Sequence, residues 1–219
     1  MTKPKREFSP EKIDEWQAYL EKKGFQNRDQ EAHRTLAIYL ANERAAQAEK
    51  GVILQGPTGS GKTHWMRLFV GIKNMHAARK LLRLYFRNPE GLDAIVKPMI
   101  LSQPDRHEGV MAIDDLGTEP RANNYGTTSE VIGDIILDRY DTFKCWGVKT
   151  YITTNLTMAD IAERYTERIT SRLLEMCTVV SMKAPDARVT NETPEFPEPP
   201  NGGYIAQYGS LLTPDRNQA

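Results

Sequence analysis

Apolar positions along this chain fall into helical spacings of three to four and into short continuous runs, and most segments stop at a glycine, proline or polar turn signal. Ser9-Pro10-Glu11 offers a hydroxyl cap, a proline at the first helical position and an acid in the first turn. Ile13, Trp16 and Leu20 then share one face, and Gly24 closes the helix. A second helix is expected from positions 27–29 to about Glu49, with Ala32, Leu36, Tyr39 and Leu40 inward. Gly51 to Gln55 reads as a buried strand that enters a glycine-rich turn and leaves as a helix. Phe69 to Lys73 reads either as a very short strand or as the fraying end of that helix, and a further helix is expected over 77–86. Gly109 to Asp115 is a buried strand ending in two carboxylates. The spacing over 128–143 predicts an amphipathic helix, with Ile132, Ile135, Ile136, Tyr140 and Phe143 inward and Asp134, Asp138 and Asp141 outward. Val148 to Thr153 is a β-rich run opening into Thr154-Asn155. Helical segments follow from Met158 and over 166–173, and Cys177 to Met182 is the last strand. Strands alternating with helices predict an α/β domain built on a parallel sheet flanked by helices. From Pro185 to Ala219 no periodicity survives, and six of the thirteen prolines fall there, so residues 184–219 are expected to form an extended or disordered tail.

Composition narrows the function classes. Lys+Arg and Asp+Glu are both 29, so no global field draws the chain to nucleic acid or anionic membranes, and such binding would need a local patch. Cys145 and Cys177 lack metal-ligand spacing and flank apolar segments, which reads as core thiols of a reduced compartment. His33, His64, His76 and His107 share no ligand spacing. No apolar run approaches the ~18 residues of a membrane span, and none follows the charged Met1 to Arg6 stretch, so a soluble cytoplasmic protein is expected.

The densest chemistry lies in Gly56-Pro57-Thr58-Gly59-Ser60-Gly61-Lys62-Thr63, in the strand, loop, helix setting that a phosphate-binding loop requires. Its glycines let successive N–H groups converge on phosphate oxygens at the positive end of the following helix. Lys62 is placed to reach the β- and γ-phosphates, and Thr63 to put its hydroxyl on Mg²⁺. Asp114, at the C-terminal end of a parallel strand, fits as the metal-linked acid, and Asp115 as the group that orients or deprotonates an attacking water. The Asn155 amide is suited to the γ-phosphate or that water, or alternatively caps the next helix. Arg79, Arg83 and Arg87 recur every four residues with Lys80 beside them, which reads either as a solvated face or as a contact with a nucleic-acid backbone. Arg168 and Arg172 also lie four apart. They pair with Glu167 or Glu175, or are presented to a neighbouring copy's γ-phosphate.

Gly56 to Thr63, Ile113-Asp114-Asp115-Leu116-Gly117-Thr118-Glu119, Tyr151-Ile152-Thr153-Thr154-Asn155 and Glu167-Arg168-Ile169-Thr170-Ser171-Arg172-Leu173, in that order, resemble the AAA+ ATPases of the bacterial helicase-loader group. This is the DnaC type, with IstB-type transposition ATPases as relatives, and the resemblance runs from Gly51 to Lys183. It implies an AAA+ P-loop domain over 51–183 and no C-terminal lid domain, and the two helices read before it make residues 1–50 a short helical arm. It further implies ATP and Mg²⁺ as cofactors, Gly56 to His64 as the nucleotide-binding segment and Lys62 and Thr63 as the Walker A pair. Asp114 and Asp115 become the Walker B pair and Asn155 sensor 1. A trans-acting arginine falls among Arg168 and Arg172, with Arg172 favoured. Arg79, Lys80, Arg83 and Arg87 take the position of a helix that lines single-stranded DNA. The implied work is slow, oligomerisation-dependent ATP hydrolysis and assembly on single-stranded DNA as a replication factor, with a replicative helicase as partner. Three alternatives stay open: an IstB-like regulator with a transposase as partner, a nucleotide-gated scaffold with little hydrolysis, suggested by Asp115 where Glu is commoner, and a small-metabolite kinase, for which the chain shows neither an arginine-bearing lid nor an acceptor motif. The stretch from Lys62 to the basic helix is shorter than the family's, which predicts a truncated or missing second strand. The arm lacks the cysteines of loaders with an N-terminal zinc site.

Overall fold

A computed structural model of the chain describes residues 9–22, 29–44, 48–96, 109–120, 122–124, 127–129 and 131–184. The tail expected over 184–219 lies, beyond Ala184, outside the described residues, as do Gly24, Asn27 and His107. Two helices, α1 (Pro10–Lys22) and α2 (Gln30–Arg44), precede β1 (Gly51–Gln55) and α3 (Lys62–Val70). Then come β2 (Met75–Ala77), α4 (Ala78–Arg87), α5 (Pro89–Val96) and β3 (Met111–Leu116). A small hairpin of β4 (Ala122–Asn124) and β5 (Thr127–Ser129) leads to α6 (Val131–Trp146) and β6 (Thr150–Thr154). The described chain finishes with α7 (Met158–Tyr165), α8 (Glu167–Met176) and β7 (Cys177–Ser181).

The sheet has five parallel strands in the order β2-β3-β6-β1-β7. Strand alternation divides its side chains between two cores, as a sheet covered on both faces demands. Ile53, Ile113 and Ile152 face α4 to α8, packing with Leu81, Ile136, Ile161 and Leu173. Val52, Leu54, Ala112 and Tyr151 face the other way, against Leu36 and Tyr39 of α2 and Met66 and Phe69 of α3. The helical arm therefore shares a core with the sheet.

The expected second strand is present, although truncated. Helix α3 ends at Gly71 in the left-handed region (φ 71), and a single 3-10 turn (Ile72–Asn74) precedes the three-residue β2. Of the two readings of 69–73, the helix end holds: Phe69 and Val70 close α3, and the strand lies beyond. Helix α2 is described to Arg44 and is over by Ala48, short of the expected Glu49, and α6 starts at Val131, because Thr127 to Ser129 is taken up by the hairpin. Of the two thiols expected in the core, only Cys177 is buried; Cys145 sits in the last turn of α6, exposed to solvent. Burial pushes the Cys177 thiol up to about 12.

Candidate nucleotide site

The glycine-rich loop begins where three strands meet. Gly56 donates its N–H to the Thr154 carbonyl (3.1 Å), and Met182 donates to the Gln55 carbonyl (2.7 Å), so the loop leaves the sheet pinned between β6 and β7. A Cβ on Gly56 would lie 2.2 Å from the Met182 carbonyl oxygen, which leaves room only for glycine. Gly61, left-handed at φ 89, turns the chain into α3, whose first N–H groups have no partner within the helix and receive no side-chain cap. Lys62 is 5% exposed and folds back over the loop, donating to the carbonyls of Gly56 (2.8 Å) and Pro57 (2.7 Å) and to Ser60 Oγ (3.4 Å). Burial lowers its pKa, while the carboxylates of Asp115 and Asp114 favour its charged form. His64, in the first turn, is held down to about 4 by burial, with Arg67 adding to the effect.

The second half of the site comes from β3 and β6. Because β6 lies between β1 and β3, its C-terminal end sits between the loop and the two acids. Asp114 Oδ1 accepts from Thr63 Oγ1 (3.0 Å) and from Thr153 Oγ1 (2.6 Å). Pairing of β3 with β6 runs to Ile113↔Ile152 and resumes at Leu116↔Thr154, so β3 carries one extra residue there. Such a bulge re-aims side chains. Asp115 takes it up in the left-handed region (φ 56), its N–H bonded to Thr153 Oγ1 (2.8 Å) and its carbonyl to Thr118 N–H (3.1 Å) and Oγ1 (2.8 Å). Asn155 is exposed at the rim, its Nδ2 3.4 Å from Thr58 Oγ1 across the mouth of the loop. It does not cap the next helix, since Thr157 does so in a reciprocal box with Asp160.

The donor set suits a hard dication. The Thr63 hydroxyl and the Asp114 carboxylate lie side by side, and no group of three His, Cys, Asp or Glu side chains among the described residues could hold a metal alone. Mg²⁺ binds in this manner, through one or two protein oxygens with phosphates and water completing its octahedron.

Two supporting residues escaped the sequence reading. Thr153 joins both acids. Glu119, 4% exposed, accepts from Gly117 N–H (3.0 Å), pairs with Arg164 Nη2 (3.2 Å) and accepts from the Tyr165 hydroxyl, fastening the turn after β3 to α7. Both stood inside the motif strings. What could have marked Thr153 was a threonine, not an aliphatic residue, at the buried end of a core strand.

The two groups of basic residues sit elsewhere. Arg79, Lys80, Arg83 and Arg87 occupy the exposed face of α4, opposite buried Ala78, Leu81 and Leu82. Arg79 Nε also donates to the Thr118 carbonyl (2.7 Å). On α8, Arg172 is engaged within the chain: its Nη1 donates to Tyr140 Oη (2.7 Å), lies 3.4 Å from Glu175 Oε2, and its Cζ sits 4.3 Å over the Tyr140 ring. Arg168 is exposed, and its side chain has no hydrogen bond or ion pair among the described residues.

No family model and no curated protein matches the chain. Among solved structures it is similar to the crystal structure of the DnaC helicase loader, with 22% identity over 72% of this chain and 92% of that one at a TM-score of 0.52. It is also similar to DnaI, with 20% identity over 72% of this chain and 86% of that one at a TM-score of 0.48. The chain therefore has the α/β P-loop fold of the DnaC helicase loader, which is the fold that its motifs imply.

Proposed function

We propose that the chain binds ATP·Mg²⁺ and hydrolyses it slowly, as a helicase-loader-like AAA+ ATPase that assembles on single-stranded DNA. The observation that carries this reading is the 3.0 Å contact between Thr63 and Asp114, which brings the phosphate-binding loop and the acid strand to one point. When bound there, the metal would be held by Thr63 and Asp114 and would offset charge on the β- and γ-phosphate oxygens. Lys62 exchanges its contacts with the Gly56 and Pro57 carbonyls for phosphate oxygens, and the N–H groups at the start of α3 receive the anion. Asp115 and Asn155 orient the attacking water, with Asp115 accepting its proton. A cation from an adjacent copy completes the charge balance. Arg168 and Arg172 are the candidates, and the free guanidinium of Arg168 is the more available of the two. The α4 stripe contacts DNA phosphates, and the replicative helicase is the partner protein.

Binding of a fluorescent ATP analogue, followed by turnover at rising protein concentration with and without single-stranded DNA, tests the reading. Lys62→Ala should abolish binding, and wild-type turnover should climb with concentration and with DNA. Failure of the wild type to bind the analogue would overturn the nucleotide assignment. The scaffold alternative draws support from Asp115, whose short side chain sits on a backbone locked by Thr153 and Thr118. Binding with flat turnover at every concentration would decide for it. An IstB-like role would be marked by capture of a transposase instead of a helicase.

A further inference from the structure

Thr153 spends one hydroxyl on both acids of the site. It is fully buried, donates to Asp114 Oδ1 at 2.6 Å and accepts from the Asp115 N–H at 2.8 Å. These two contacts fix different things. The first holds the Asp114 carboxylate at the oxygen that also meets Thr63, leaving the other oxygen's direction determined. The second ties down the extra residue of β3, at the point where Asp115 turns through φ 56. A left-handed aspartate is costly unless its surroundings hold it, and the N–H bond to Thr153 is one of the restraints that do so.

We propose that Thr153 is a positioning residue for the metal: its hydroxyl sets the Asp114 carboxylate toward Thr63 and keeps the bulged Asp115 backbone in place. The assignment rests on the ATP·Mg²⁺ reading above. Thr153, buried beneath the site, acts through the Asp114 carboxylate and the Asp115 backbone. Outer groups that orient a ligating carboxylate typically contribute 10- to 100-fold to metal affinity, and a hydroxyl bonded to a carboxylate is among the stronger neutral-donor bonds.

Neighbouring Thr154 supplies the control. It is equally buried, on the same strand, and its hydroxyl bonds the Leu116 carbonyl (2.9 Å) and the Leu156 N–H (3.0 Å), without touching either acid. The quantity to measure is the gain in affinity for a fluorescent ATP analogue on going from chelator to Mg²⁺, for wild type, Thr153→Val, Thr153→Ser and Thr154→Val, with Tm recorded for each. Thr153→Val should cut the gain by about 10-fold or more. Thr153→Ser, which keeps the hydroxyl, should restore it to within about twofold, and Thr154→Val should leave it intact while lowering Tm comparably. An unchanged gain in Thr153→Val, or an equal loss in Thr154→Val, overturns the assignment. If Thr153→Val does not fold, Thr153→Ala removes the same hydroxyl and the same ratio decides. A wild type that binds no analogue in either buffer overturns the proposed function and this assignment together, whereas binding with a gain indifferent to Thr153 overturns this assignment alone.

Discussion

Arg139 offers the sharpest test of how the sheet is held. Its side chain is 0% exposed, and its guanidinium donates to Thr150 Oγ1 (2.9 Å) and to the carbonyls of Val96 (3.1 Å), Gly109 (2.9 Å) and Lys149 (3.1 Å). One side chain on α6 thus closes the end of α5 and the entries to β3 and β6. Burial pushes the guanidinium down to about 10, a measure of the strain its charge bears there. In Arg139→Met the charge and its desolvation cost disappear, but four acceptors lose their donor at roughly 1–3 kcal/mol each where water cannot replace it. The recovered desolvation cost offsets part of this, leaving a loss of about 3–5 kcal/mol from neutral acceptors left unpaired. For a chain of this size that is a fall in Tm of about 6–20 °C. Arg139→Lys keeps the charge but lacks the planar fork, and should lose about half as much. Urea and thermal unfolding of the three proteins measure it. A Met variant within about 1 kcal/mol of wild type would refute the reasoning, since it would mean that the carbonyls are satisfied without the guanidinium.

Other expectations concern charge. Arg83→Glu should lower the slope of log affinity against log salt for single-stranded DNA by about one or more; an unchanged slope marks the α4 stripe as merely solvated. Arg168→Ala should remove concentration-dependent turnover by about 10³-fold with Tm unchanged. Arg172→Ala should lower Tm through its lost contacts with Tyr140 and Glu175, and loss of turnover from Arg172→Ala alone would refute that division. His64 stays neutral in the fold down to about 4. An unfolded histidine takes a proton near ~6.5, so below that pH the unfolded chain binds a proton that the fold refuses, and stability falls toward about 4. Chemical denaturation across that window should show the slope flattened in His64→Gln, and an identical slope would refute the assignment.

Much of the architecture was legible because its elements are long or chemically marked. Val52-Ile53-Leu54 before a glycine-rich turn, and Met111-Ala112-Ile113 before two acids, announce buried parallel strands whatever surrounds them. The elements that were not legible are short: α5 (Pro89–Val96) spans only about two turns with Gly91 inside it, and the others are three residues long. Met75–Ala77 and the Ala122–Asn124/Thr127–Ser129 hairpin complete no period, and their pairing is decided by neighbours distant in sequence. Cys145 was misplaced because a thiol beside Phe143 and Trp146 looks apolar, yet Trp146 is itself 53% exposed where α6 outruns the core. Arg139 falls on the inner spacing of Ile132, Ile135, Ile136, Tyr140 and Phe143, so its position was readable; its charge argued against burial, and the four acceptors that reconcile the two exist only after folding. At the site, motifs singled out Lys62, Thr63, Asp114 and Asn155, which the fold brings to one end of the sheet. They did not identify Thr153 and Glu119, whose value lies in what they hold.

Helix α2 lies behind the sheet at a telling place. Tyr39 donates its hydroxyl to the Lys50 carbonyl (2.8 Å) and accepts from the Tyr151 hydroxyl (2.9 Å), while Phe69 stacks on Tyr151 with ring centroids 6.0 Å apart. Tyr151 begins the run that ends in Thr153 and Asn155. A chain trimmed to start at Gly51 would bare this aromatic layer to water and strand a buried phenol, so the minimal folding unit reaches back through α2. Anything that grips the N-terminal helices has its hand on the rear of the strand whose tip carries Thr153 and Asn155.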